Sequence, residues 1–172
     1  MPLLNTSTSI SRERGNAIVP RFVRGVESDL RRAGWIPGRR VDLSRWRLAM
    51  RGFTWHAAAE EFLREFGGLH VDSGGPGVDC WRESFEFDPE LAVGEEDRFW
   101  AHSEKLGHTL FPLGEYGQGE FFLAIDENST LYLVAASVLR LGPRDSALER
   151  LIMGVAPEGP GPPDYGTGQL GT

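Results

Sequence analysis

The spacing of apolar residues changes at Gly67-Gly68, and that change limits what the chain can fold into. Upstream, Ala58, Phe62 and Phe66 recur at helical spacing, and Ala59 and Leu63 widen them into one apolar stripe. Thr54 stands between Phe53 and Ala58, the arrangement of an N-cap inside a hydrophobic staple. The pattern predicts a helix over 54–66. Gly67 is placed to close it in the left-handed conformation, with Leu69 packing back over the last turn. Beyond the two glycines the period drops toward two, so a capped helix turns directly into a strand.

The same punctuation organises the rest of the chain. Phe22, Val23, Val26, Leu30 and Ala33 read as a helix with Pro20 near its start and Gly34 at its end. Trp35-Ile36-Pro37-Gly38 reads as a turn. A short second helix is expected after Ser44, stapled by Leu43 and Leu48 and ended by Gly52. Leu69–Val71 is a predicted strand. Arg82–Asp88 alternates weakly, with Phe85 and Phe87 on one face, until Asp88-Pro89 breaks it. Glu95, Glu96 and Asp97 suit the positive end of a further helix, with Phe99, Trp100 and Leu106 on its apolar side and Gly107 at its end. Strands are expected near 108–113, 120–126 and 131–137, joined through hairpin connections at 115–119 and 127–129, with a further short strand at 138–141. Ala147, Leu148, Leu151 and Ile152 mark a last helix, with Ser146 as its expected cap. Helices flanking a run of consecutive strands predict an α+β single domain with a mainly antiparallel sheet.

Residues 1–19 are polar and without periodicity, and predict a flexible N-terminal arm. Nine of the 17 residues from Ala156 to Thr172 are glycine or proline, too few apolar groups to offset ordering entropy, so that tail is expected to be disordered. The domain is placed at 20–155. No apolar run reaches the length of a membrane span, the N-terminus lacks the features of a signal peptide, and Cys80 is the sole cysteine. A reducing cytoplasm is the expected compartment.

Charge is unevenly distributed. Residues 1–51 carry a net +7 and residues 52–172 a net −14. An acidic body repels phosphate, which argues against nucleic acid as the main partner and suits a basic protein. The alternative is that the acidity serves solubility. Arg24, Arg31, Arg32, Arg39, Arg40, Arg45, Arg47 and Arg51 sit between apolar helix positions; such residues could bind nucleic acid, but more often coat a solvated face or pair with acids of the same domain.

No reaction chemistry stands out. His56, His70, His102 and His108 share no metal-ligand spacing, and each is expected at the surface or in a second layer. Cys80 has no local base or cation to activate it. Gly74-Gly75-Pro76-Gly77 lacks a following lysine, and Pro76 removes a backbone donor that a phosphate would use. Gly114, Gly117 and Gly119 join two predicted strands, which fits a hairpin rather than a dinucleotide site. No cofactor or metal is expected. Carboxylates are the abundant feature, from Asp72 to Asp97 and again at Glu115–Glu120. Two of them held across a cleft would suit an acid-dependent hydrolase, a distant alternative. The favoured site is instead a surface that meets cations on a partner: Asp72, Asp79, Trp81, Glu83, Glu86, Asp88, Glu95, Glu96, Asp97, Glu115, Tyr116 and Glu120. Trp81, beside the glycine loop, suits a core position and a surface anchor equally well.

Several of these segments, in this order, resemble the SUKH superfamily, and within it the SUKH-3 group of bacterial immunity proteins. The segments are Ala33-Gly34-Trp35-Ile36-Pro37-Gly38-Arg39, Phe62–Leu69 with its double glycine, Pro112-Leu113-Gly114-Glu115, Ala124-Ile125-Asp126 and Leu148–Ile152. The similarity extends from about Phe22 to about Gly154. Family members commonly carry glycine where this chain has Ser129 or Thr130. The resemblance implies a SUKH-like fold and a non-enzymatic protein, monomeric by expectation, that neutralises a cognate polymorphic toxin of the nuclease or nucleic-acid deaminase class by covering its active site. A scaffold or regulatory binding module is the alternative it leaves open.

Overall fold

A computed structural model describes residues 20–159. The arm read at 1–19 and residues 160–172 of the tail lie outside the described residues. The helices are α1 (Arg24–Arg32), α2 (Ser44–Ala49), α3 (Ala57–Phe66), α4 (Glu96–Leu106) and α5 (Arg144–Met153). The strands are β1 (His70–Val71), β2 (Phe85–Glu86), β3 (Phe111–Tyr116), β4 (Phe121–Ile125), β5 (Thr130–Val134) and β6 (Val138–Pro143), with a 3-10 turn at Pro89–Ala92. The strands form one antiparallel sheet in chain order. This is the α+β arrangement the punctuation implied.

Successive strand residues point to opposite faces, so the consecutive buried residues Leu123–Ile125 and Leu131–Val134 require both faces of the central sheet to be covered. Helix α5 lies along β5 and β6 and against α1. Helix α4 reaches the sheet through Phe99, which meets Phe122 at 5.9 Å, and through His102, whose Nε2 is 3.2 Å from the Ala135 carbonyl oxygen. Phe22, Trp35, Phe62, Phe66 and Phe87 form a continuous aromatic core, in which Trp35 stacks on Phe66 at 6.4 Å and Phe22 meets both rings edge-on.

Several local expectations are corrected. Helix α3 begins at Ala57, and its cap is His56 rather than Thr54. His56 has extended backbone angles, and its Nδ1 accepts the Ala59 N–H at 3.2 Å. The left-handed residue at the end of α3 is Gly68, with φ +75°, whereas Gly67 has φ −55°. Gly67 is needed for space instead: a Cβ there would lie 2.5 Å from the Leu63 carbonyl oxygen and from the Trp46 ring. Leu48 is exposed and staples nothing, because Trp46 and Met50 supply the buried side of α2. Trp35 is a core anchor as well as part of a turn. Trp100 lies off the buried side of α4, which Phe99 and His102 form, so His102 is buried rather than superficial. Ser146 sits inside the first turn of α5, which starts after Pro143. Ser129 takes φ +65°, a left-handed conformation that favours glycine. Past Val155, Glu158 exchanges two backbone hydrogen bonds with Arg140 on β6.

Candidate partner-binding surface

The glycine loop between β1 and β2 serves the end of α5. A helix leaves its last carbonyls without intrahelical partners. Here the Val78 N–H donates to the Met153 carbonyl oxygen at 3.0 Å, and the Asp79 and Cys80 N–H groups donate to that of Gly154 at 2.8 and 3.1 Å. With the Gly77 N–H donating to the Cys80 carbonyl oxygen at 2.9 Å, four successive amides of this stretch, 77–80, are occupied. With the loop pinned in this way, Trp81 projects with 58% of its surface exposed, as an outward anchor. Burial, and then the neighbouring Asp79 carboxylate, push the Cys80 thiol up and keep it protonated, the opposite of an activated nucleophile.

The loop leads into β2, where six of the twelve nominated residues gather. Glu86 and Glu115 stand directly opposite each other on β2 and β3, and Phe85 stands opposite Tyr116. On its other side β3 pairs with β4, and that ladder shifts register between Pro112 and Gly114. Only glycine fits at 114, because its φ is +153° and a Cβ there would strike the Glu86 carbonyl oxygen. Like charges directly opposite across a ladder repel. Partial burial, and then Glu86, raise the Glu115 carboxyl above the usual range. Burial, with Cys80 and Glu83 adding to it, pushes the half-buried Tyr116 hydroxyl up to about 12, so it remains a hydrogen-bond donor. Glu83 and Glu120 flank Gly117, Glu115 flanks Gly119, and Asp72 accepts from the Ser84 hydroxyl at 3.2 Å. Among the described residues, none of these five carboxylates pairs with an arginine or lysine. The His70 Nδ1 lies 3.9 Å from the Glu86 carboxylate.

A second acidic face lies on α4 and shares no residue with the first. Glu96, Trp100 and Glu104 recur at four-residue spacing along one stripe, with Asp97 beside them. Trp100 is 67% exposed. It edges a groove of about 230 Å³ between α4 and the turn Gly52–Thr54, floored by Phe53, Phe99 and Leu110. Sequence reasoning placed Trp100 on the apolar side of the helix. The signal that it faces outward is its spacing from two glutamates, i−4 and i+4.

Not all nominated acids are free. Asp88 accepts from Arg45 and from the Trp46 indole N–H, both at 2.9 Å, and Glu95 pairs with Arg98 at 2.7 Å. Asp79 accepts the Ala156 N–H at 3.4 Å. Among the described residues, no three His, Cys, Asp or Glu side chains are grouped so as to hold a metal ion, and no helix is long and apolar enough to cross a membrane.

The described residues thus form an α+β domain that presents carboxylates and two exposed tryptophans, Trp81 and Trp100. The family model for the SUKH-3 immunity protein matches residues 22–154, and the chain belongs to that family. Membership supports an immunity function and implies a toxin as partner, and the family is not known for enzymes. No curated protein and no solved structure matches the chain.

Proposed function

We propose that the protein neutralises a cognate polymorphic toxin domain, of the nuclease or nucleic-acid deaminase class, by covering its substrate cleft in the cytoplasm. The observation that carries this is the group of carboxylates at Asp72, Glu83, Glu86, Glu115 and Glu120, none paired with an arginine or lysine among the described residues, with Trp81 on the pinned loop that precedes it. Toxins that act on nucleic acid need a basic face for phosphate, and an anionic surface competes for that face directly. Glu96, Asp97, Trp100 and Glu104 extend the same chemistry to a second contact. Acids at the rim speed encounter, and aromatic anchors slow release.

Co-expression with the toxin encoded beside it is expected to restore growth. Complex formation should slow as salt rises, chiefly through the association rate. Reversing Glu83, Glu86 and Glu120 together to lysine should lower the association rate by about tenfold or more while the fold persists. Unchanged association kinetics in that variant would remove this face from the contact.

A further inference from the structure

The described residues of this acidic protein form a concave basic site. A cavity of about 340 Å³ is lined by Arg21, Arg39, Arg40, Arg64 and Arg144, against only two carboxylates, Glu61 and Glu65. These arginines come from four separate segments: the approach to α1, the turn after Gly38, α3, and the start of α5.

The carboxylates present do not satisfy them. Glu65 is fully engaged: it accepts from Arg21 at 2.6 Å, from the Trp35 indole N–H at 3.0 Å, and from Arg144. Arg21 also pairs with Asp145 at 2.6 Å. Arg39 donates one hydrogen bond, to the Glu65 carbonyl oxygen at 2.7 Å, and meets no carboxylate among the described residues. It is half-buried, and burial lowers its proton affinity, as befits a charge short of solvent and of counter-charge. Arg64 reaches only Glu60, at 3.8 Å. Arg40 makes no ion pair or side-chain hydrogen bond among the described residues. The Arg144 Nε is buried without a hydrogen-bond partner, and the nearest carboxylate oxygen, on Asp145, is 4.0 Å away.

We propose that this cavity is an oxyanion site that takes a small phosphate-bearing molecule. Guanidinium groups present planar pairs of donors that match phosphate oxygens. The donors left over at Arg39, Arg40 and Arg64 supply the positive edge, and the Arg21–Glu65–Arg144 cluster holds the floor in place. The volume suits a small ligand rather than a polymer groove. This site is distinct from the acidic faces, and its occupancy does not depend on toxin capture.

The test uses the full chain and inorganic pyrophosphate, titrated by calorimetry against sodium chloride of equal ionic strength, with AMP and a single-stranded oligonucleotide as further arms. Pyrophosphate should bind at one site per chain. The Arg40→Ala variant, whose side chain supports nothing else, should weaken binding about tenfold, and Arg39→Ala with Arg40→Ala should abolish it. Arg51→Ala, outside the cavity, should leave it unchanged. AMP binding lost in the same variants assigns the site to phosphate monoesters as well. Absence of saturable pyrophosphate binding, equal binding by the double variant, or an oligonucleotide binding far more tightly than pyrophosphate would each overturn the proposal.

Discussion

Glu115 illustrates what a crowded acidic ladder costs a single residue. It lies opposite Glu86, partly shielded from water, and its carboxyl is held above the ordinary range by burial and then by that neighbour. A carboxyl with a raised folded-state pKa opposes folding when it is ionised. The penalty is therefore present at neutral pH and fades as pH falls through the folded pKa toward the unfolded one. Glu115→Gln is expected to stabilise the protein at pH 7 by about 0.5 kcal/mol, and the gain should vanish near pH 4. Thermal unfolding across that range measures it, and a gain that persists at low pH would assign the effect to packing. His56 has the opposite relation to protons. Its Nδ1 must be unprotonated to accept the Ala59 N–H, and burial lowers its pKa. The cap is thus retained above the ordinary histidine range and lost as pH falls below it. Sequence rules name Thr54 as the cap because hydroxyls are the usual acceptors. An imidazole in that role depends on burial by Phe111, which lies far along the chain.

At the scale of elements, the helix and strand periods were legible wherever one side of an element is buried and the other solvated. The double glycine marked the end of α3, although it was close packing by Trp46, not backbone handedness, that required Gly67. The glycine loop at 74–77 was legible only by what it lacked. Its purpose is fixed by the end of α5, which the local sequence does not reveal. A Cβ at Gly77 would lie 2.6 Å from the Cys80 carbonyl oxygen and from the Gly154 Cα. Gly77→Ala is accordingly expected to cost about 1–3 kcal/mol in chemical denaturation and to loosen Trp81. Retention of full stability together with normal hydrogen exchange at Val78–Cys80 would refute the pinning. The acidic segment reads as uniform in sequence, yet Asp88 and Glu95 are held by arginines while Glu83 and Glu86 are not. The choice depends on Arg45 in α2, which folding brings alongside Asp88.

Across the whole molecule, the basic N-terminal third and the acidic remainder are partly each other's counter-ions. Arg21, Arg45 and Arg47 pair with Glu65 and Asp145, with Asp88 and Glu90, and with Glu60. Glu65 is the centre of this arrangement, since it ties the approach to α1, the buried Trp35 and the start of α5 to α3. Glu65→Ala should leave Arg144 and the Trp35 indole N–H without their acceptor, and Arg21 with Asp145 alone, and destabilise the fold by about 3 kcal/mol. Near-wild-type unfolding of that variant would show the cluster to be incidental.

The strand order has a further consequence. From Phe111 to Pro143 each strand pairs with the next one along the chain, and no crossover intervenes. Closing short loops forfeits little entropy, so this stretch can zip up early, ahead of the longer excursions that bring α3 and α4 onto it. A fold that assembles from neighbouring pieces is ready soon after synthesis, which suits an immunity function.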